Sequence, residues 1–382
     1  MCDEYSHSTS FLSRNPFVEV ALAYALSYIA TLKPQRIGPA SVTILADTDY
    51  YSQPASTQES PSHPGHRFQD FQVPLHEAHK TGLGSSAALV TAFIAAVLIH
   101  YLPAQDFSIP TGFGRARLHN LAQAAHCAAQ GKVGSGFDVA AAVYGSCVYR
   151  RFSPSVLEGI GEVGSRDFSQ RLRTLVNETD PTRKWDTEIQ TSAVSIPKHL
   201  RLVMCDVDCG SQTVGMVKKV LAWRKERPEE ALLLWAALQR GIDDLRDEFL
   251  RLEKCTHTSE LDHRDLRDMI NTMRSLIREM SNKSGVPIEP HVQTELLDAC
   301  CNVPGVIGGV VPGAGGYDAI ALLVLDKPET LEELQNLLNG YTASRDDSGS
   351  EAKIGRVKLL RVRQEMEGVR PEDCKGYEAW FH

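Results

Sequence analysis

Lys80-Thr81-Gly82-Leu83-Gly84-Ser85-Ser86-Ala87-Ala88 stands immediately before a long apolar run, and its reading decides the fold. Glycines let the backbone come close to a ligand, and the free N–H groups at a helix start, with the positive end of its dipole, form an anion site. A phosphate chain fits such a site. Ser85 and Ser86 add hydroxyls that can bond phosphate oxygens or ligate magnesium, which takes hard oxygen ligands, and Lys80 adds a point charge on the approach. The stretch is not a Walker A loop, which needs its Lys and Ser/Thr after the last glycine. A tight turn with a serine cap explains one glycine and one serine. It does not explain two of each followed by two alanines and an apolar helix.

Two further glycine segments follow. Gly131-Lys132-Val133-Gly134-Ser135-Gly136-Phe137-Asp138, ahead of Val139-Ala140-Ala141-Ala142, presents a carboxylate at the start of an apolar helix. Taken alone, Asp138 reads as readily as an N-cap, and Lys132 as a solvated surface residue. Pro312-Gly313-Ala314-Gly315-Gly316-Tyr317-Asp318 lies between β-branched segments and can wrap a ligand or simply form a hairpin or bulge.

Outward from these loops the pattern is mixed. Asn15 as cap and Pro16 at the first helical position predict a helix over 17–29, and a short strand is expected at 41–45. Residues 46–80, with Pro54, Pro61, Pro64 and Gly65, read as a long exposed loop. The apolar run 87–102 predicts a buried helix, 112–115 a polar turn, 117–130 a helix with Leu118, Leu121, Ala122 and Ala125 on one face, 138–144 a short helix and 146–152 a strand. The stretch 154–198 is weakly periodic and holds the expected domain junction. Beyond it come a strand at 202–207 and a helix at 213–223 with Val214, Val217, Val220 and Leu221 inward. Helices at 228–252, 266–283 and 294–302 and strands at 319–325 and 358–362 complete the expected elements. Strands and helices without regular βαβ alternation indicate an α+β fold.

With 382 residues the chain is long enough for two domains, expected here as 1–195 and 196–382. A formal net charge of −8 argues against a nucleic-acid surface, so any cationic site must be local. Nine scattered cysteines without a C-x-x-C pair read as reduced, buried thiols, and no targeting segment opens the chain; both lead to the expectation of a cytoplasmic protein. The run 87–102 falls short of the roughly 20 residues that span a bilayer.

Together the three loops resemble the GHMP kinase family. The matching wording is K-T-G-L-G-S-S-A, then A-H-C-A-A-Q-G-K-V-G-S-G-F-D-V-A-A-A-V-Y-G-S, then P-G-A-G-G-Y-D-A-I, with further likeness at Tyr149-Arg150-Arg151-Phe152, Gly210-Ser211 with Thr213, and Ile288-Glu289-Pro290 with Gln293, Leu296, Leu297 and Asp298. The resemblance runs from about Asn15 to the last strand and is nearest to the fungal branch whose acceptor is (R)-5-phosphomevalonate. It implies an N-terminal ribosomal-S5-like domain and a C-terminal ferredoxin-like α/β sandwich. It also implies transfer of the ATP γ-phosphoryl group to phosphomevalonate, giving 5-diphosphomevalonate and ADP on the route to isoprenoids and sterols, with Mg²⁺ as cofactor. By resemblance, Lys80, Thr81, Gly82, Leu83, Gly84, Ser85, Ser86, Ala87 and Ala88 bind ATP, with Ser85 or Ser86 near magnesium. Asp138 and Lys132 are the implied catalytic pair, Arg150 or Arg151 implied phosphate contacts, and Ser135, Gly136, Ser211, Gln293, Gly313, Ala314, Gly315, Gly316 and Asp318 implied substrate contacts. The expected assembly is a monomer or weak homodimer. Two departures stand out. The family's opening P-G-K hairpin has no counterpart, so the N-terminal domain is expected to be truncated, and His79 replaces a proline before Lys80. Alternative readings are a sister GHMP enzyme, mevalonate kinase or diphosphomevalonate decarboxylase, and an inactive remnant that only binds.

Overall fold

Asn15 and Pro16 begin the first helix as their chemistry dictates. In the computed structural model, which describes residues 14–33, 37–51, 68, 81–191, 194–209, 215–255, 262–343 and 354–378, α1 spans Pro16–Leu32. The Asn15 side chain accepts from the N–H groups of Phe17 (3.1 Å) and Val18 (3.4 Å), two of the donors a helix start leaves orphaned. The apolar run becomes α2 (Ser85–Tyr101), which packs against α1 and α3 (Gly112–Gln130), themselves in contact with each other. Helix α3 starts earlier than its periodicity suggests, and residues 112–115 are its first turn rather than a separate one. Thr111 is the reason, because its hydroxyl accepts from the N–H of Gly114 at 2.9 Å and caps the helix there. Next come α4 (Phe137–Tyr144) and β1 (Val148–Arg150).

The weakly periodic stretch holds more structure than its sequence indicates. It contains α5 (Phe168–Asn177), whose Phe168, Leu172, Leu175 and Val176 recur at helical spacing and are buried, and β2 (Glu188–Gln190), antiparallel to β1. The strand expected at 41–45 does not form. Val42 and Ile44 are exposed, and the nearest pairing is the single bridge Asp47 to Phe68, so this extended segment has no neighbouring strand among the described residues to complete a ladder.

The second half is built on one antiparallel sheet in the order β4 (Val306–Val310), β5 (Ala319–Leu325), β3 (Leu200–Asp208), β6 (Arg356–Leu359). Helices α6 (Met216–Glu226), α7 (Pro228–Glu253) and α8 (Arg264–Ser284) pack on one another, and α8 and α9 (His291–Cys301) pack on β4. Helix α10 (Pro328–Gly340), which sequence reading passed over, packs against β6 and buries Leu334 and Leu338. On α6 the buried residues are Met216 and Trp223, whereas Val217 and Leu221, expected inward, are exposed; Val214 lies outside the described residues.

One core gathers α1 to α5 and runs from Ala21 to Trp185. A second lies between the sheet and helices α9 and α10. The chain then returns, for Val369 packs against the first core and Ser146 donates from its N–H (2.7 Å) and its hydroxyl (3.0 Å) to the carbonyl of Glu365. Among the described residues no helix is long and apolar enough to cross a membrane.

Candidate active site

The first glycine loop ends in a left-handed residue. Gly84, at φ +74°, is the N-cap of α2, a conformation that a side chain would strain. The backbone N–H groups of residues 82–86 have no acceptor among the described residues, so five donors gather at the positive end of α2. The loop is anchored from behind. The buried Thr81 donates its hydroxyl to the carbonyl of Asp49 at 2.7 Å and its N–H to that of Tyr50 at 3.2 Å. Asp49 in turn accepts from the N–H of Arg361 at 3.0 Å, which ties the loop to the segment after β6.

The three glycine segments, far apart in sequence, meet here. A Cβ built on Gly84 would lie 3.6 Å from the Cβ of Asp138, and one on Gly82 would lie 3.9 Å from that of Ala319, the residue after Asp318. The phosphate-type loop is thus flanked by the second loop on one side and by the end of the third on the other.

Asp138 sits in the first turn of α4, partly exposed, its Oδ1 accepting from the N–H of Val139 at 3.0 Å. The loop before it is clamped. Tyr149 donates its hydroxyl to the carbonyl of Ser135 at 2.9 Å, and Arg151 donates to that of Val133 at 3.2 Å. Gly136, at φ +83°, has no room for a side chain, since a Cβ would meet the Tyr149 hydroxyl at 2.6 Å and the Gln123 Oε1 at 2.7 Å. Burial pushes the Tyr149 phenol up to about 12, with Arg151 pulling it down and Asp138 pushing it further up. The Cys127 thiol is raised mainly by burial and feels the same opposed pair. Arg151 therefore brings positive charge to the same two side chains that the Asp138 carboxylate reaches. Arg150 does not: it faces solvent in a cross-strand pair with Glu188 at 3.2 Å. Lys132 is exposed at the head of the loop, with no carboxylate partner among the described residues.

The third loop is held by a buried ionic cluster. Glu289 accepts from Arg274 at 2.8 Å, from Arg278 at 2.8 Å and from the Thr294 hydroxyl at 3.1 Å, and Arg274 also reaches Asp298 at 2.8 Å. Removing one member would strand a charge out of water, so the cluster fixes the chain at residues 288–290. Onto that fixed point the loop is laid, with the N–H of Gly316 donating to the carbonyl of Ile288 at 2.8 Å and a Cβ on Gly315 excluded by the same carbonyl at 2.4 Å. Gln293 is wholly buried, and its amide donates to the carbonyl of Tyr317 at 2.6 Å, so in this conformation it supports the loop from behind instead of facing the cleft. Gly313 and Ala314 are exposed at the tip. Asp318 is open to solvent on one side, and packing on the other raises its carboxyl above the usual range. Lys80 and Ser211 lie outside the described residues.

One residue escaped sequence reading altogether. His126, buried on α3, places its Nε2 3.1 Å from the hydroxyl of Ser86, 3.3 Å from the Gln130 amide and 3.9 Å from Asp138 Oδ2. It stands inside the quoted motif, but an imidazole on a helix face carries no mark of what it will meet 40 residues away. Gln123, which shapes the pocket around Gly136, left no signal either.

Residues 70–146 match the family described as GHMP kinases N terminal domain. The chain is 52% identical over 370 residues to the phosphomevalonate kinase erg8 of Aspergillus fumigatus, covering 96% of this chain and 75% of the relative. It is 51% identical over 373 residues to the phosphomevalonate kinase ERG8 of Gibberella zeae, covering 97% and 79%. A plant relative, the peroxisomal phosphomevalonate kinase of Arabidopsis thaliana, is 34% identical over 82% of this chain and 73% of its own. The crystal structure of a Lin0012 protein from Listeria innocua superposes with a TM-score of 0.60 at 20% identity, over 92% of this chain and 82% of that one, which shows the shared fold.

Proposed function

Because the chain belongs to the phosphomevalonate kinases of the GHMP kinase family, we propose that it transfers the γ-phosphoryl group of ATP to (R)-5-phosphomevalonate, giving 5-diphosphomevalonate and ADP. The observation that carries the site assignment is the convergence of the three glycine loops, with Gly84 against Asp138 and Gly82 against Ala319.

The acceptor sets the chemical problem. A phosphate monoester has a second pKa near ~6 and is mostly a dianion at neutral pH, so a general base has little to do. The demand is to bring two polyanions into line, which positioning and charge neutralisation meet. The five free N–H groups of residues 82–86 and the dipole of α2 fit the ATP phosphates. Ser85 and Ser86, half-buried at the start of that helix, fit a hard cation beside them, and Mg²⁺ bound there would neutralise phosphate charge. Lys132 and Arg151, both exposed, are the cations we assign to the acceptor phosphate. Asp138 orients the acceptor or a neighbouring cation, while Ser135, Gly136 and the tip at Gly313 and Ala314 enclose it. Lys80 and Ser211 complete the assignment by resemblance.

The division into units 1–195 and 196–382 is supported by the separation of the core of α1 to α5 from the core between the sheet and α9 and α10. A cytoplasmic location and a monomer or weak homodimer fit the reading. The deciding experiment is ADP release measured separately with mevalonate, phosphomevalonate and diphosphomevalonate. Turnover confined to phosphomevalonate supports the assignment, and turnover with either of the others replaces it with a sister enzyme.

A further inference from the structure

Helix α3 buries an unusual number of polar side chains, among them His119, Asn120, Gln123 and His126, all at most 4% exposed. His126 alone among them joins two of the loops assigned above. Its Nε2 lies 3.1 Å from Ser86 Oγ, at the start of α2, and 3.9 Å from Asp138 Oδ2, at the start of α4. The Gln130 amide, one turn on, lies 3.3 Å from the same nitrogen, and the imidazole packs against the ring of Phe17 with centroids 5.6 Å apart. The ring is therefore held on several sides and cannot swing away.

A serine hydroxyl has one donor and two acceptor sites. With Nε2 protonated, Ser86 accepts from it and keeps its O–H for a phosphate oxygen; with Nε2 bare, Ser86 donates to it and keeps its lone pairs for magnesium. We infer that His126 is a positioning residue for phosphoryl transfer: it locks the Ser86 hydroxyl in one orientation toward magnesium-ATP and holds that orientation in register with Asp138. The inference rests on the phosphoryl-transfer reading of this site. It assigns His126 no contact with either substrate.

A role through Ser86 differs measurably from a role in packing. His126→Phe keeps a ring against Phe17 and removes the nitrogen. In the otherwise unchanged protein it lowers kcat by about 10- to 100-fold and weakens magnesium-ATP binding, the range typical of residues that orient a ligand from behind. In a Ser86→Ala background the same substitution changes either quantity by less than about threefold, because the hydroxyl it oriented is gone. His126→Gln, whose amide can still reach Ser86, recovers most of the loss, and His126→Leu, which also removes the nitrogen, takes the place of His126→Phe in the cycle where the latter does not fold. Equal losses with and without the Ser86 hydroxyl, or losses that follow the melting temperature, overturn the inference. Wild-type turnover with phosphomevalonate checks the underlying reading separately. Where that turnover is absent the functional reading fails, and the affinities for magnesium-ATP alone decide for or against the positioning role.

Discussion

Helices α2 and α3 lie side by side in one core, yet they serve the site in opposite ways. Apart from Thr91, helix α2 is apolar along its buried length, from Ala87 through Val90, Phe93 and Ile94 to Leu98, and contributes its N-terminal end. Its function resides in backbone N–H groups and two serines, which any helix starting there with small residues would supply. Helix α3 contributes its flank. Gln123 shapes the space around Gly136, and His126 meets Ser86 and Asp138. A buried polar group without a partner costs about 1–3 kcal/mol, and both Gln123 Oε1 and His119 Nε2 lack one among the described residues. A core chosen for stability alone would place apolar side chains at these positions. The difference teaches that a helix end is an inexpensive way to hold phosphate, whereas placing a second loop against it requires polar groups inside the core.

The largest effect expected from breaking this arrangement falls on the carboxylate that α3 backs. Asp138→Asn lowers kcat by about 100-fold or more while the affinity for ATP stays within about threefold, as read by coupled ADP release and by nucleotide titration. Near-normal turnover would remove Asp138 from the mechanism. Next comes a pair of glycine substitutions that sets the two helices against each other. Gly84→Ala adds a methyl in ordinary contact, 3.6 Å from Asp138, and incurs only the left-handed backbone cost of about 1–2 kcal/mol. Gly136→Ala carries the same backbone cost and also drives a methyl to within 2.7 Å of Gln123 Oε1 and Tyr149 Oη, so urea unfolding should show it about 1–3 kcal/mol the worse of the two. Equal losses would mean that the flank of α3 leaves slack around the loop.

The smallest effect concerns the far end of α3. Burial lowers the pKa of His119 to about 4, against a hydrogen bond to Asn120 that raises it. The unfolded chain takes up that proton near 6.5 and the folded one only near 4, so the stability present above 6.5 is lost as pH falls through that window. Between neutral pH and pH 5.5 the loss is about 1 kcal/mol, and His119→Gln, which does not titrate, removes that part of the slope in urea titrations. An unchanged slope would place the titration elsewhere.

What was legible in the sequence follows the reach of each signal. Asn15-Pro16 and the glycine-serine start of α2 are local, and the structure begins helices at both. The buried residues of α5 are also periodic, but their spacing is diluted by Arg171 and Arg173, and residues 41–45 have strand composition without a neighbouring strand among the described residues. The three loops could be read as ligand loops one by one. Their meeting could not, because it depends on Gly84 approaching Asp138 and Gly82 approaching Ala319 across tens to hundreds of residues. Gln293 shows the converse: resemblance alone implied a substrate contact for it, and no local signal announced its burial or its bond to the Tyr317 carbonyl.

The central claim is that a phosphate, not an alcohol, accepts the transferred group. Phosphorus NMR of a reaction containing ATP and (R)-5-phosphomevalonate tests it most directly. The account predicts that the monoester resonance of phosphomevalonate is replaced by a coupled pair from 5-diphosphomevalonate as ADP appears in equal amount. ADP accompanied only by inorganic phosphate, or an unchanged monoester resonance beside active turnover of mevalonate, would contradict it.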